Sequence, residues 1–222
     1  MSERAARTPF PFLGCWELQE MLGRRAYDER ELLEHLEEVP LDSIYFHTHS
    51  VFLRERGRPG PYPNDFATWA AIQVRDRVLG EKLGIIDPQD LSDLESLRTE
   101  VVSLIDDHLS QLGAVPRVIF GEPFYFMQSR VLEIPTGVKV RTLREFRDVL
   151  STVDGSVVYL HVVEARGRKG RRRHDFATWV DEQLGLPELA AAMARLNPFP
   201  FGVEEVRRRL VALCDAVLTA GA

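Results

Sequence analysis

Residues 65–69 read Asp-Phe-Ala-Thr-Trp, and residues 175–179 read the same five residues in the same order. Such an identity constrains the fold more than any composition figure, because a repeated segment is one supersecondary unit used twice. Weaker matches run collinearly on both sides. Ile44-Tyr-Phe-His47 matches Val158-Tyr-Leu-His161, Phe10 and Phe12 match Phe124 and Phe126, and Gly23 matches Gly137. Downstream, Leu79 matches Leu189, Val101 matches Leu210, and Asp106 matches Asp215. The offset is 114 before the loop that follows the His, 110 after it and 109 near the end. Length changes of that kind are absorbed by surface loops. The spacing therefore predicts two tandem repeats, at 10–112 and 123–219, with 113–122 as a linker.

Each repeat reads as a β-hairpin followed by about four helices. The alternating pair Phe10, Phe12 (Phe124, Phe126) opens a strand, and a second short strand is expected near residues 23–27 (137–141). Asp28 and Thr142 stand where a helix N-cap belongs, ahead of Leu32, Leu33, Leu36 and of Phe146, Val149, Leu150 at helical spacing. In the Tyr-x-His segments, the β-branched run Val157–Val163 resembles a strand. Ile44, His47, Thr48 and Val51, however, share a helical face behind Pro40 and Ser43, and helix is preferred for both repeats. Asp65 and Asp175 are expected to cap the next helix. In the first repeat that helix runs on towards Leu83, and in the second Gly185-Leu-Pro187 divides it. A long amphipathic helix closes each repeat. The expected class is α+β, predominantly α-helical, with the repeats related by a pseudo-twofold axis.

Composition excludes few functions. The chain of 222 residues is 45% hydrophobic and 28% charged, which are globular values. It has no run of 18 apolar residues, so no membrane-spanning helix is expected. The first residues lead into no hydrophobic signal core, and two cysteines make no disulfide framework, so a cytoplasmic location is expected. The net charge of −6 is unevenly spread. Residues 1–113 hold 12 basic and 21 acidic side chains, and residues 114–222 hold 16 and 13.

His47 and His161 recur, 18 and 14 residues ahead of Asp65 and Asp175. As a catalytic set, these four would be carboxylate-oriented imidazoles for acid–base work. As structure, each is a semi-buried His bonded to a helix-capping Asp. The structural reading is preferred, because no nucleophile recurs with the pair. His47-x-His49 does not chelate from a helix, and Val163 replaces the second His in the other repeat, so no metal site and no cofactor are expected. Phe66 with Trp69, and Phe176 with Trp179, are core aromatics at helical spacing.

The sharpest local feature is the segment from Arg166 to His174. Arg166, Arg168, Lys169, Arg171, Arg172 and Arg173 fall within eight residues and are candidates for binding an acidic protein surface or an anionic ligand. A nucleic-acid contact through this loop is not favoured, given the acidic first half.

The runs Ser43-Ile-Tyr-Phe-His47, Asn64-Asp-Phe-Ala-Thr-Trp69 and Leu79-Gly-Glu-Lys-Leu83 resemble a bacterial family, domain-of-unknown-function family 5752, once per repeat. The second repeat departs from the motif, with Val157 for Ser and His174 for Asn. The resemblance implies a shared fold and carries no activity. The favoured expectation is thus a non-enzymatic interaction or adaptor module with a charge-polarised surface. The alternatives are a small-ligand protein or enzyme with duplicated His/Asp sites acting on an anionic substrate, and a local nucleic-acid contact.

Overall fold

A computed structural model describes residues 5–54, 60–167 and 173–220. In chain order its elements are β1 (Phe10–Ala26), α1 (Glu29–Glu38), α2 (Leu41–Thr48), α3 (Val51–Arg54), α4 (Asp65–Trp69), α5 (Arg77–Gly84), α6 (Leu94–Ser110), β2 (Phe124–Val140), α7 (Leu143–Leu150), α8 (Gly155–Val158), α9 (Ala165–Gly167), α10 (Asp175–Trp179), α11 (Pro187–Ala194) and α12 (Val203–Ala220). Wider π-helical turns follow α4 (Ala70–Val74), α8 (Tyr159–Glu164) and α10 (Val180–Leu184). The protein is α+β and 57% helical, so helix packing dominates its core.

The expected pair of local hairpins is not observed. Each hairpin's two short strands are one strand of 17 residues, and β1 pairs with β2 in a two-stranded antiparallel sheet. Residues 13–22 carry no Asn-Gly or Pro-Gly signal that would fold them back, so the chain stays extended. Gly23 (φ +72°) and Gly137 (φ +80°) supply a left-handed kink without reversing direction.

The chain divides into two compact units, residues 17–130 and residues 1–16 with 131–222. These do not coincide with the spans 10–112 and 123–219, because each long strand is cut near its middle. In the unit 17–130, Phe124 and Phe126 of β2 join a core of Leu32, Leu36, Phe66, Trp69, Leu79, Leu83, Val101 and Ile105. In the other unit, Phe10 and Phe12 of β1 pack on Phe146, with ring centroids 6.0 and 5.5 Å apart, and on Phe176. The opening strand residues of each half of the sequence thus sit among the helices of the other half. The expected linker 113–122 is part of the unit 17–130: Val118 N–H donates to the Tyr27 carbonyl (2.8 Å), and the Glu122 carbonyl accepts from the Trp69 indole (3.0 Å).

Helix starts follow capping chemistry. Asp28 accepts from the Glu31 N–H at 2.9 Å, and Thr142 with Glu145 forms a reciprocal capping box on α7. The Tyr-x-His segments are helical in both units, in α2 and in the π-helical turn after α8. Ser43 does not cap α2; the helix starts after Pro40 and buries Ser43. Nor does the helix after Phe66 run on to Leu83. It stops at Arg75, whose φ is +69°, and restarts at α5, where Asp76 accepts from the Leu79 N–H (2.9 Å). Gly185 (φ +63°) makes the matching break in the other unit. An arginine in the left-handed region left no breaker for the sequence to show.

Candidate functional site

The structure brings His47 to Asp65 and His161 to Asp175. In the unit 17–130, α2 presents His47 to the first residue of α4. His47 Nδ1 lies 2.8 Å from Asp65 Oδ2, and the Met127 N–H donates to His47 Nε2 at 3.0 Å. Because Nε2 accepts, it carries no proton. The neutral ring therefore protonates Nδ1 and donates to the carboxylate. His47 is 3% exposed and packed on Phe46, Phe66 and Phe124. Burial holds its pKa below the usual value, against the opposing pull of Asp65. Burial also pushes the Asp65 carboxyl up, but hydrogen bonds and charge from His47 and Arg54 outweigh it, so Asp65 stays below the normal range. Arg54 donates to Asp65 at 2.7 Å and lies over the Phe46 ring.

The other unit repeats this tie. His161 Nδ1 is 2.9 Å from Asp175 Oδ2, and the Leu13 N–H donates to Nε2 at 3.1 Å. His161 is also 3% exposed, against Phe10 and Phe176. Each imidazole clamps a strand amide to the first turn of a helix, and both ring nitrogens are used. A shallow groove between Tyr62, Ile72, Arg77 and Glu81 includes none of these residues.

Asp65 and Asp175 are not the helix caps that spacing suggested. The caps lie one residue earlier and differ between the units. Asn64 accepts from the Ala67 N–H (2.8 Å) and donates to the Leu83 carbonyl (3.0 Å). His174 does both jobs with a ring: Nδ1 accepts from the Ala177 N–H (3.2 Å), and Nε2 donates to the Met193 carbonyl (3.0 Å). Protonating Nδ1 would abolish the cap. Burial lowers the His174 pKa to about 4, and the positive charge of Arg166 also disfavours its protonation.

Of the six basic candidates, Arg168, Lys169, Arg171 and Arg172 lie outside the described residues. The other two have partners inside the protein. Arg166 donates to the carbonyls of Ala194 and Leu196 at the end of α11, where a cation complements the helix terminus. Arg173 pairs with Asp181 at 2.7 Å.

A third grouping was not expected. Glu29 at the start of α1, Asp76 at the start of α5 and His108 near the end of α6 place one ligating atom each within 4.8 Å of one another. His108 Nε2 lies 2.8 Å from Asp76 Oδ2. Glu29 is fully buried, and neither of its oxygens has a hydrogen-bond partner among the described residues. Burial, with Asp76 and Asp28 nearby, pushes its pKa up to about 8. A sequence signal did exist: at the repeat offsets of 114, 110 and 109, these residues match Leu143, Leu186 and Val217. Three polar residues thus stand where the other unit's sequence has three apolar ones.

Fold and ties together define a mainly helical α+β protein in which a buried His–Asp bridge locks a strand to a helix, once in each unit. The chain belongs to a family of unknown function (DUF5752), whose model matches residues 7–215. It is also similar to the solved structure of OrfY from Thermoproteus tenax, at 27% sequence identity and a TM-score of 0.80, over 96% of each chain. That source is an archaeon, whereas the motifs had suggested a bacterial family. No curated protein sequence matches the chain.

Proposed function

We propose that the protein is a non-enzymatic interaction module that arose by tandem duplication and presents a charge-polarised surface to an acidic protein partner. The observation that carries this reading is the closure of both His–Asp ties. Every ring nitrogen of His47 and His161 is bonded to the protein itself, so acid–base work on a substrate would first have to break the strand-to-helix lock. Helix breaks and His–Asp ties at matching sequence positions support the duplication. The basic segment Arg166, Arg168, Lys169, Arg171, Arg172 and Arg173 supports the acidic partner; Arg166 and Arg173 already have internal partners, so the test falls on Arg168, Lys169, Arg171 and Arg172. A cytoplasmic location belongs to the same reading and rests on cysteine usage.

The test is salt-gradient elution from immobilised poly-glutamate, beside binding to a duplex DNA of random sequence. The parent is expected to elute at clearly higher salt than a variant with those four residues reversed to Glu. Co-elution of parent and variant overturns the reading. Tighter binding to the duplex than to poly-glutamate replaces the acidic partner with nucleic acid.

A further inference from the structure

We propose that Glu29, Asp76 and His108 form a binding site for one divalent cation of the zinc class, within the unit 17–130. The site stands apart from the His–Asp ties and from the basic segment, and it does not depend on the proposed function.

The donor set is one imidazole nitrogen and two carboxylates. Imidazole selects first-row transition ions, and carboxylates add the negative charge that balances a dication. The helix starts present the ligands. Asp28 takes the role of N-cap on α1, which leaves Glu29 free to turn inward. Asp76 spends Oδ1 on the Leu79 N–H, and this fixes the carboxylate with Oδ2 towards His108. The three atoms already lie within 4.8 Å of each other. Tetrahedral zinc with bonds of about 2.0–2.1 Å sets its ligand atoms roughly 3.3 Å apart, so Glu29 closes in by about 1 Å or less, while His108 Nε2 and Asp76 Oδ2, now 2.8 Å apart, open slightly and give up the proton between them. Asp76 is partly exposed, which gives an ion a route in and leaves the remaining coordination to water.

Two further observations point to a ligand rather than to a buried polar knot. The first is Glu29 itself. A buried carboxyl held neutral still needs an acceptor for its proton, and a charged one needs donors, but both of its oxygens are unpartnered. A cation meets that need and turns the repulsion between Glu29 and Asp76 into shared coordination. The second is the other unit. With Leu143, Leu186 and Val217 at the matching positions, it builds the same helices, so the polar trio is not a requirement of the fold.

The experiment uses the full chain stripped with EDTA, then titrated with zinc, manganese or magnesium chloride. Zinc is expected to bind at one ion per chain and, at a hundredfold excess over its Kd, to raise the Tm by roughly 5–10 °C. Magnesium is expected to leave the Tm unchanged. Glu29→Leu, which imports the side chain found at residue 143, should melt higher than the stripped parent and show no response to zinc. His108→Gln should lose the ion too. Cobalt gives a second readout independent of stability: its visible absorption should appear in the parent and be absent from Glu29→Leu. No zinc response in the parent, a zinc ratio unchanged in Glu29→Leu, or a response to magnesium in place of zinc overturns the site.

Discussion

The unit 17–130 and the unit built from residues 1–16 and 131–222 share one lock and differ in what surrounds it. Both clamp a strand amide to a helix start through a neutral imidazole, at nearly the same distances. Around that lock, Asn64 stands opposite His174, Arg75 opposite Gly185, and the trio Glu29, Asp76, His108 opposite three aliphatic residues. What the two units share marks a device their common packing uses, and what differs marks where that packing accepts other residues.

The sharpest way to break this comparison is to remove the lock on each side in turn. His47→Ala and His161→Ala should each cost roughly 3–5 kcal/mol in urea unfolding, from a carboxylate that loses its imidazole donor, an orphaned strand amide and a cavity. Equal losses fit one shared device. A cost below about 1 kcal/mol on one side only would mean the two ties are not equivalent.

Next comes the cap. His174 must stay neutral to accept from Ala177, and its pKa in the folded protein is about 4. The unfolded chain takes up its proton near pH 6.5, so stability present above that pH is lost as pH falls towards 4. The loss attributable to this residue is roughly 3 kcal/mol. His174→Asn, which installs the other unit's cap, should keep the neutral-pH stability and flatten the acid limb by that amount. An acid limb identical in parent and variant would assign the sensitivity elsewhere.

The arginines after each tie give a smaller contrast. Arg166→Ala leaves two carbonyls at the end of α11 without their donor and should cost about 2 kcal/mol in the same unfolding assay. Arg54→Ala, at a more open site, should cost about 1 kcal/mol or less. Reversal of that order would remove Arg166 from the scaffold and return it to the binding surface.

The smallest effect concerns the helix breaks. Arg75→Gly should raise stability by about 0.5–1 kcal/mol, and Gly185→Arg should lower it by a similar amount, because both positions have positive φ. Thermal melts of the two variants resolve the signs.

The His–Asp pairing was legible because it recurs, and recurrence converts spacing into contact. The caps at Asp28 and Thr142 were legible because short polar side chains precede apolar periodicity. The break at Arg75 was not, since nothing in an arginine signals a left-handed backbone. The strand partners were not legible either. Phe10, Phe12, Phe124 and Phe126 carry the same pattern whichever set of helices receives them, and pairing between distant segments leaves no local mark. The Glu29 grouping was hidden differently: its three members are 47 and 32 residues apart in sequence and match no ligand spacing.

The exchange of strand halves also sets an order of events during synthesis. The unit 17–130 is one continuous stretch, so all of its parts are present once residue 130 has left the ribosome. Phe10 and Phe12 are translated ahead of every helix, yet the rings they pack on are those of Phe146, His161, Phe176 and Trp179. At about 5–20 residues per second, the wait for those partners is roughly 8–34 s. A segment translated ahead of every helix is therefore among the last to be enclosed.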